Sequence, residues 1–294
     1  MRQVVRVHAA MTAVAVLFSA NYIISKLAMG HFAPLSFAWL RVAGSALLLL
    51  IVVGWPRFSA HDSRLVAGFA VMGVVLNQTL FLAGLALTSA HVAAILITSI
   101  PVFALAAAIA LGEERATLPK VAGIALAAAG ALLVVGGQGI EGAEGSLLGT
   151  LMLVGNCLSY ALYLVISKPH MARLAPTAVI ARMFFVGAVL MLPIAARSLL
   201  RERWSAIPLS AWLGLILVII GPTVVAYLLS AWALRHAESS LVAAYTYVQP
   251  VLTTILAAMF LDEQLEMIVL LAAVMIVAGV WLAGRAADIG PIPE

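Results

Sequence analysis

The sequence predicts an all-α integral membrane protein of ten transmembrane helices, arranged as two inverted five-helix repeats. Three observations carry that prediction. Of 294 residues, 65% are hydrophobic and 10% charged, with mean hydropathy +1.16, whereas soluble chains have about 45–50% apolar and about 25% charged residues. A soluble core of this size would still need a polar shell, so lipid has to be the outer solvent. Apolar runs close to the roughly 20 residues that cross about 30 Å of hydrocarbon recur along the chain. Features of the first half then return, in order, in the second.

The first five runs fall at about Ala9–Met29, Pro34–Val53, Leu65–Leu87, Val92–Leu111 and Val121–Val135. After the polar stretch GGQGIEGAEGS, five more follow at Leu147–Ser167, Pro176–Ala196, Leu209–Leu234, Ser239–Leu261 and Met267–Leu282. These are spans 1 to 10. The predicted organisation is a first repeat over residues 1–137, a linker over 138–146, and a second repeat with a short tail over 147–294. Pro34, Pro119, Pro176 and Pro208 stand near span starts, where a missing N–H removes no helical bond. Short connections make neighbouring spans antiparallel, and no segment reads as a strand or a soluble domain. The start MRQVVRVHAAMTAV resembles a signal peptide, but its apolar run is too long and lacks a small-x-small cleavage site, so it reads as span 1.

Net charge is +4. The basic residues stand singly between apolar runs rather than in a patch with interleaved aromatics, which argues against a nucleic-acid partner and for orientation signals. With the N-terminus inside, ten Lys and Arg residues collect at inner ends and four at outer ends, placing both termini in the cytoplasm of an inner (plasma) membrane. The outer stretch ARSLLRERW runs against that balance. Cys157 is the one cysteine, so no intrachain disulfide exists.

The repeat is read from five matches. Span 1 closes on NYIISK (Asn21–Lys26) before Pro34, and span 6 on YLVISK (Tyr163–Lys168) before Pro176. Arg41 in span 2 answers Arg182 in span 7. Pro101 in span 4 precedes the ending GEE (Gly112–Glu114), as Pro250 in span 9 precedes LDE (Leu261–Glu263). Spans 5 and 10 share Ala-Gly at Ala129–Gly130 and Ala278–Gly279. An odd number of spans per half makes the halves opposite in orientation, a layout in which binding sites lie at the repeat interface near mid-membrane.

The in-helix proline, the acidic pair closing spans 4 and 9, and the Gly-rich helix that follows each resemble the EamA-type repeat of the drug/metabolite transporter superfamily, once per half over nearly the whole chain. The resemblance implies a secondary carrier working by alternating access, usually an exporter of metabolites. Within that group the overall likeness is to aromatic amino acid exporters.

Polar side chains at mid-depth belong in the bundle interior or a cavity, because lipid offers no partner. The candidates for substrate binding are Asn21 and Tyr22 in span 1, Asn77, Gln78 and Phe81 in span 3, and Thr98 and Ser99 in span 4. Span 6 adds Asn156, Tyr160 and Tyr163 at helical spacing with Ser159 beside them. Span 8 repeats the spacing with Thr223, Tyr227 and Ser230, and span 9 adds Tyr245, Tyr247 and Gln249. The bland reading is interhelical hydrogen bonding, at about 0.6 kcal/mol each. The functional reading is a cavity with aromatic walls and a few amides and hydroxyls, suited to a flat apolar ligand with a polar end, whose ammonium group tyrosine faces can hold.

Pro101 and Pro250 each free a backbone carbonyl and permit a bend; they read as passive kinks or as hinges of opposing gates. Gly221-Pro222 breaks span 8 with no proline in span 3 to match. Arg41 and Arg182 carry charge into the membrane at about 2.5–3.5 kcal/mol on insertion scales. Each reads as a snorkelling or ion-paired residue, or as a gate or ligand for a substrate carboxylate. Lys26 and Lys168, at helix ends, read as anchors.

All twelve carboxylates lie at helix ends, in loops or in the tail. Small multidrug members of the superfamily resemble one another in a membrane-embedded glutamate on the first helix, where this chain has Asn21; a neutral or zwitterionic solute therefore fits better than a dicationic drug. No Cys/His cluster has metal-ligand spacing, no Walker motif suggests ATP-driven pumping, and no GxSxG context suggests proteolysis, so neither cofactor nor metal is implied and the chain does not read as an enzyme. The expectation is an exporter of amino acids, aromatic or large apolar, with other small metabolites or drugs as the alternative. A membrane enzyme or a non-transporting receptor are the contrasting classes, and liposome efflux separates them. Gly123, Ala127 and Ala131 allow close helix contact; a monomer is favoured over a homodimer.

Overall fold

The computed structural model describes residues 2–112, 116–137, 147–171, 173–236, 245–261 and 267–285. Among the described residues all regular secondary structure is helical, with no strand. Helices α1 (Arg2–Met29) and α2 (Pro34–Val53) correspond to spans 1 and 2, with Pro34 in the first turn of α2 and Gly54 closing it at φ 77°. Span 3 is α3 (Ala60–Ala70) and α4 (Asn77–Ala86), joined without a gap by a π-helical segment, Val71–Leu76. Span 4 is not continuous: α5 (Ala90–Ile97) stops and α6 (Ile100–Ala110) restarts with Pro101 in its first turn. Pro101 thus opens a helix rather than kinking one, because its missing N–H is harmless only there.

Then come α7 (Leu118–Gly137), α8 (Leu147–Met171) and α9 (Pro176–Arg201). Span 8 is α10 (Leu209–Val218) and α11 (Ala226–His236), again joined by a π-helical segment, Ile219–Val225, which contains Pro222. A single 3-10 turn, Tyr245–Tyr247, leads into α12 (Val248–Phe260), so Pro250 also stands near a helix start; α13 (Met267–Arg285) is last. The linker 138–146, the acidic pairs Glu113–Glu114 and Asp262–Glu263, the first part of span 9 and the tail from 286 lie outside the described residues.

Among the described residues, seven stretches are long and apolar enough to cross a membrane: Val5–Met29, Pro34–Val53, Ala60–Ala86, Val92–Ala110, Leu147–Met171, Pro176–Arg201 and Leu209–Ala233. Helices α7, α12 and α13 overlap the stretches predicted as spans 5, 9 and 10, and are not among these seven. Large apolar side chains such as Leu47, Ile51, Val189, Leu217 and Val274 point outward. That is unfavourable against water and the expected state against lipid.

Packing follows a simple exchange rule. α2 packs on α9, and α7 on α13. α1 packs on α10, α11 and α12, just as α8 packs on α4 and α6. Glycines make several of the close approaches possible, and two of them pair the halves reciprocally. A Cβ on Gly44 of α2 would lie 2.6 Å from Ile219, in the second π-segment, and one on Gly187 of α9 would lie 2.5 Å from Val74, in the first. Each half therefore drives a π-segment side chain into a glycine notch on the other half. Close approach of this kind holds membrane helices together where no hydrophobic driving force between them exists.

Candidate functional site

Pro222 starts the site. Lacking an N–H, it leaves the carbonyl of Val218 without its α-helical donor. Thr223 Oγ1 donates to that oxygen at 2.7 Å and accepts from Nε of Arg41, also at 2.7 Å; a hydroxyl with one proton and two lone pairs can do both. Arg41 is thereby held in the interior, 2% exposed, with Nη1 unpartnered at a cavity wall.

The π-segment of span 3 works in parallel. A π-turn disturbs the regular i to i−4 ladder and leaves carbonyls for other donors. Ser159 Oγ donates to Met72 O at 3.1 Å, and Asn156 Nδ2 to Asn77 O at 2.8 Å, so α8 is stitched to the irregular stretch. Gln78 Nε2 donates to Asn77 Oδ1 at 2.8 Å and to Tyr227 Oη at 3.2 Å, and Tyr227 donates to Asn77 Oδ1 at 3.3 Å. Gln78 Oε1 and Asn156 Oδ1 keep no partner among the described residues.

These groups face one cavity. Its wall takes Asn21 and Tyr22 from α1, Arg41 from α2, and Asn77, Gln78 and Phe81 from α4. Asn156 and Tyr160 come from α8, Tyr227 and Ser230 from α11, with Tyr245 from the 3-10 turn and Gln249 from α12. The cavity has about 920 Å³ of empty space with its open mouth counted. That volume lies in the range of pockets that take small organic ligands. Tyr22 meets Phe81 edge-on at 5.4 Å, and Tyr227 meets Phe184 edge-on at 5.1 Å, fixing the aromatic wall. No acidic side chain is among the lining residues. Among the described residues Arg41 is the one charged group on that wall, which makes its uncompensated charge the dominant electrostatic feature.

A profile of the EamA-like transporter family matches residues 6–136 and matches again over 147–285. The chain belongs to the EamA-like transporter family. An uncharacterized transporter of Archaeoglobus fulgidus is 26% identical over 94% of this chain and 96% of its own length. The uncharacterized transporter YvbV of Bacillus subtilis is 29% identical over 94% and 92%. The uncharacterized inner membrane transporter YedA of Escherichia coli is 24% identical over 96% and 91%. One crystal structure shares the fold, with TM-score 0.63 over 95% of this chain and 99% of its own, at 20% identity. The chain is thus a multi-pass membrane transporter of the EamA-like family.

Other residues expected at the site of this EamA-like chain do not reach the cavity wall. Thr98 and Ser99 turn back and donate to Ile95 O and Leu96 O, each at 2.5 Å, closing the end of α5. Ser159 is spent on Met72. Tyr163 packs behind Tyr160, its ring against the backbone at Gly73, where a Cβ would come within 2.8 Å. Arg182 lies over the ring of Trp55 at 4.4 Å, away from the cavity, so the two matched arginines have different surroundings. Lys26 donates to Thr88 O at 2.9 Å, tying the end of α1 to the connection before α5. The side chains of Tyr247 and Pro250 lie outside the described residues. Sequence reading missed Phe18, Leu164, Met11 and Val14 on the wall; each is one apolar residue among many on its helix, and carried no signal.

Proposed function

We propose that this transporter exports zwitterionic amino acids, aromatic or large apolar ones, by alternating access of two inverted five-helix halves that make ten membrane spans with both termini in the cytoplasm. The observation that carries the substrate reading is the set of unpartnered groups on one wall. Arg41 Nη1 is a buried donor with positive charge, while Gln78 Oε1 and Asn156 Oδ1 are buried acceptors. A carboxylate satisfies the first and an α-ammonium the others, each by a charge-assisted bond. The tyrosine and phenylalanine faces then hold an aromatic or large apolar side chain. A dication meets no counter-charge among the described lining residues.

Support for the duplicated architecture comes from the second family match, from the exchange rule of helix packing, and from π-segments in spans 3 and 8 at corresponding places. Proteoliposomes loaded with labelled Phe, Trp, Tyr, Met or Thr test the substrate. Efflux above protein-free liposomes is expected for the aromatic set. Background efflux for all five, with the protein folded, overturns the reading.

A further inference from the structure

A second cleft lies apart from the central cavity, at the start of α3 beside the end of α8. It is lined by His61, Arg64, Leu65, Gly68, Phe69, Ile166 and His170, with about 770 Å³ of empty space including its open side. We propose that this cleft binds the phosphate of an anionic glycerophospholipid, with an acyl chain lying along Leu65, Phe69 and Ile166.

Depth is the first argument. The stretch Ala60–Ala86 has 27 residues, about 40 Å at 1.5 Å per residue, against roughly 30 Å of hydrocarbon. That surplus gives the first turn, with His61 and Arg64, the length to reach the headgroup layer, with Phe69 a further turn or more inside.

Charge is the second. Arg64 is exposed and forms no ion pair with a described residue. The acid beside it in sequence, Asp62, is engaged by Arg173 through both carboxylate oxygens and by Ser59 Oγ at 2.8 Å. That leaves one guanidinium and two imidazoles around the opening with no lining carboxylate. Arg supplies a fork for phosphate oxygens, and each imidazole supplies an N–H donor. His170 is steadied by Phe69, ring to ring at 5.7 Å.

Shape is the third. A Cβ at Gly68 would meet nothing within 4 Å, so the wall is open where a chain would enter. Basic pockets between membrane helices at one surface have the chemistry of anionic lipid headgroup sites.

The test is native mass spectrometry of the full-length protein in detergent, titrated with phosphatidylglycerol, with phosphatidylcholine, and with inorganic phosphate. Phosphatidylglycerol is expected to bind more tightly than phosphatidylcholine, whose choline would meet Arg64. Arg64→Gln should weaken it about tenfold or more, the loss of one charge-assisted contact. Gly68→Leu should weaken it similarly by filling the cleft, while a melting temperature in pure detergent like that of the wild type shows the fold intact. Wild-type affinity in both variants, equal retention of the two lipids, or inorganic phosphate displacing phosphatidylglycerol at equal concentration would each overturn the proposal. Binding is read without transport, so the outcome is independent of the substrate reading above.

Discussion

Removing the charge at Arg41 separates the two things that residue does. Buried at 2% exposure with no carboxylate beside it, Arg41 costs stability: insertion scales give about 2.5–3.5 kcal/mol for an arginine at mid-bilayer. Its compensation among the described residues is one hydrogen bond to Thr223, and Thr223 keeps its bond to Val218 O when the arginine is gone. Arg41→Met, of similar length and apolar, should therefore leave the melting temperature unchanged or raise it. Transport should move the other way. Losing a charge-assisted bond to a carboxylate costs about 1.5–3 kcal/mol, a rise in KM of roughly 10- to 150-fold. The diagnostic comparison is phenylalanine against phenethylamine, which lacks only the carboxylate, in proteoliposome counterflow. Wild type should prefer the acid, and Arg41→Met should lose that preference. A variant that exchanges phenylalanine with wild-type KM, or keeps the full preference, refutes the assignment of Arg41 to the carboxylate.

Tyr227→Phe deletes the hydroxyl that Gln78 donates to and that donates to Asn77; a loss of about 0.6–1.5 kcal/mol is expected, visible as a lower melting temperature in detergent. Gly187→Ala puts a Cβ 2.5 Å from Val74 Cγ1 and should destabilise by about 1–3 kcal/mol, with Val74→Ala in the same chain restoring most of it. An unrescued double variant would show that the notch is not the cause. Asp62→Asn breaks the pair to Arg173, whose side chain is 54% exposed, so the cost should stay below about 1 kcal/mol and fade with added salt. Cys157 is buried, which leaves a quiet background for labelling. From outside intact cells an impermeant thiol reagent should modify His31→Cys and spare Ala175→Cys; the reverse pattern inverts the proposed orientation.

Much of this was legible in the sequence, for a physical reason. Lipid imposes a length and an apolar composition on each span, so helices α1, α2, α8 and α9 are visible as runs. Polar residues are rare enough at mid-depth that Asn21, Asn77, Gln78, Asn156, Tyr160 and Tyr227 could be picked out before any of them was placed. What escaped was direction and backbone irregularity. Thr98 and Ser99 are polar at mid-span, yet a hydroxyl so close to its own helix satisfies itself on the carbonyl three residues back. Tyr163 shares a helical face with Asn156 and Tyr160 but fills the space that Gly73 vacates across the interface. The segment VMGVVL holds no proline and no turn signal, so nothing local announces its π-turn; only packing of Val74 against Gly187 and the bonds from α8 account for it.

That segment changes the meaning of Gly221-Pro222. In the sequence, Pro222 looks like a defect of the second half alone. In the fold both halves carry a π-segment about ten residues into the corresponding helix pair, one with proline and one without. The irregularity therefore belongs to the architecture, and proline is one way to encode it. In or next to each π-segment a carbonyl takes a side-chain donor at the cavity wall or just behind it: Val218 O takes Thr223, which holds Arg41, and Met72 O takes Ser159, beside Asn156. Arg41 turns inward to a threonine that only the proline-containing segment supplies, whereas Arg182, without such a partner, lies on Trp55. Two family-matched halves can thus hold one asymmetric charge at their centre, as the proposed recognition of a molecule with one carboxylate requires.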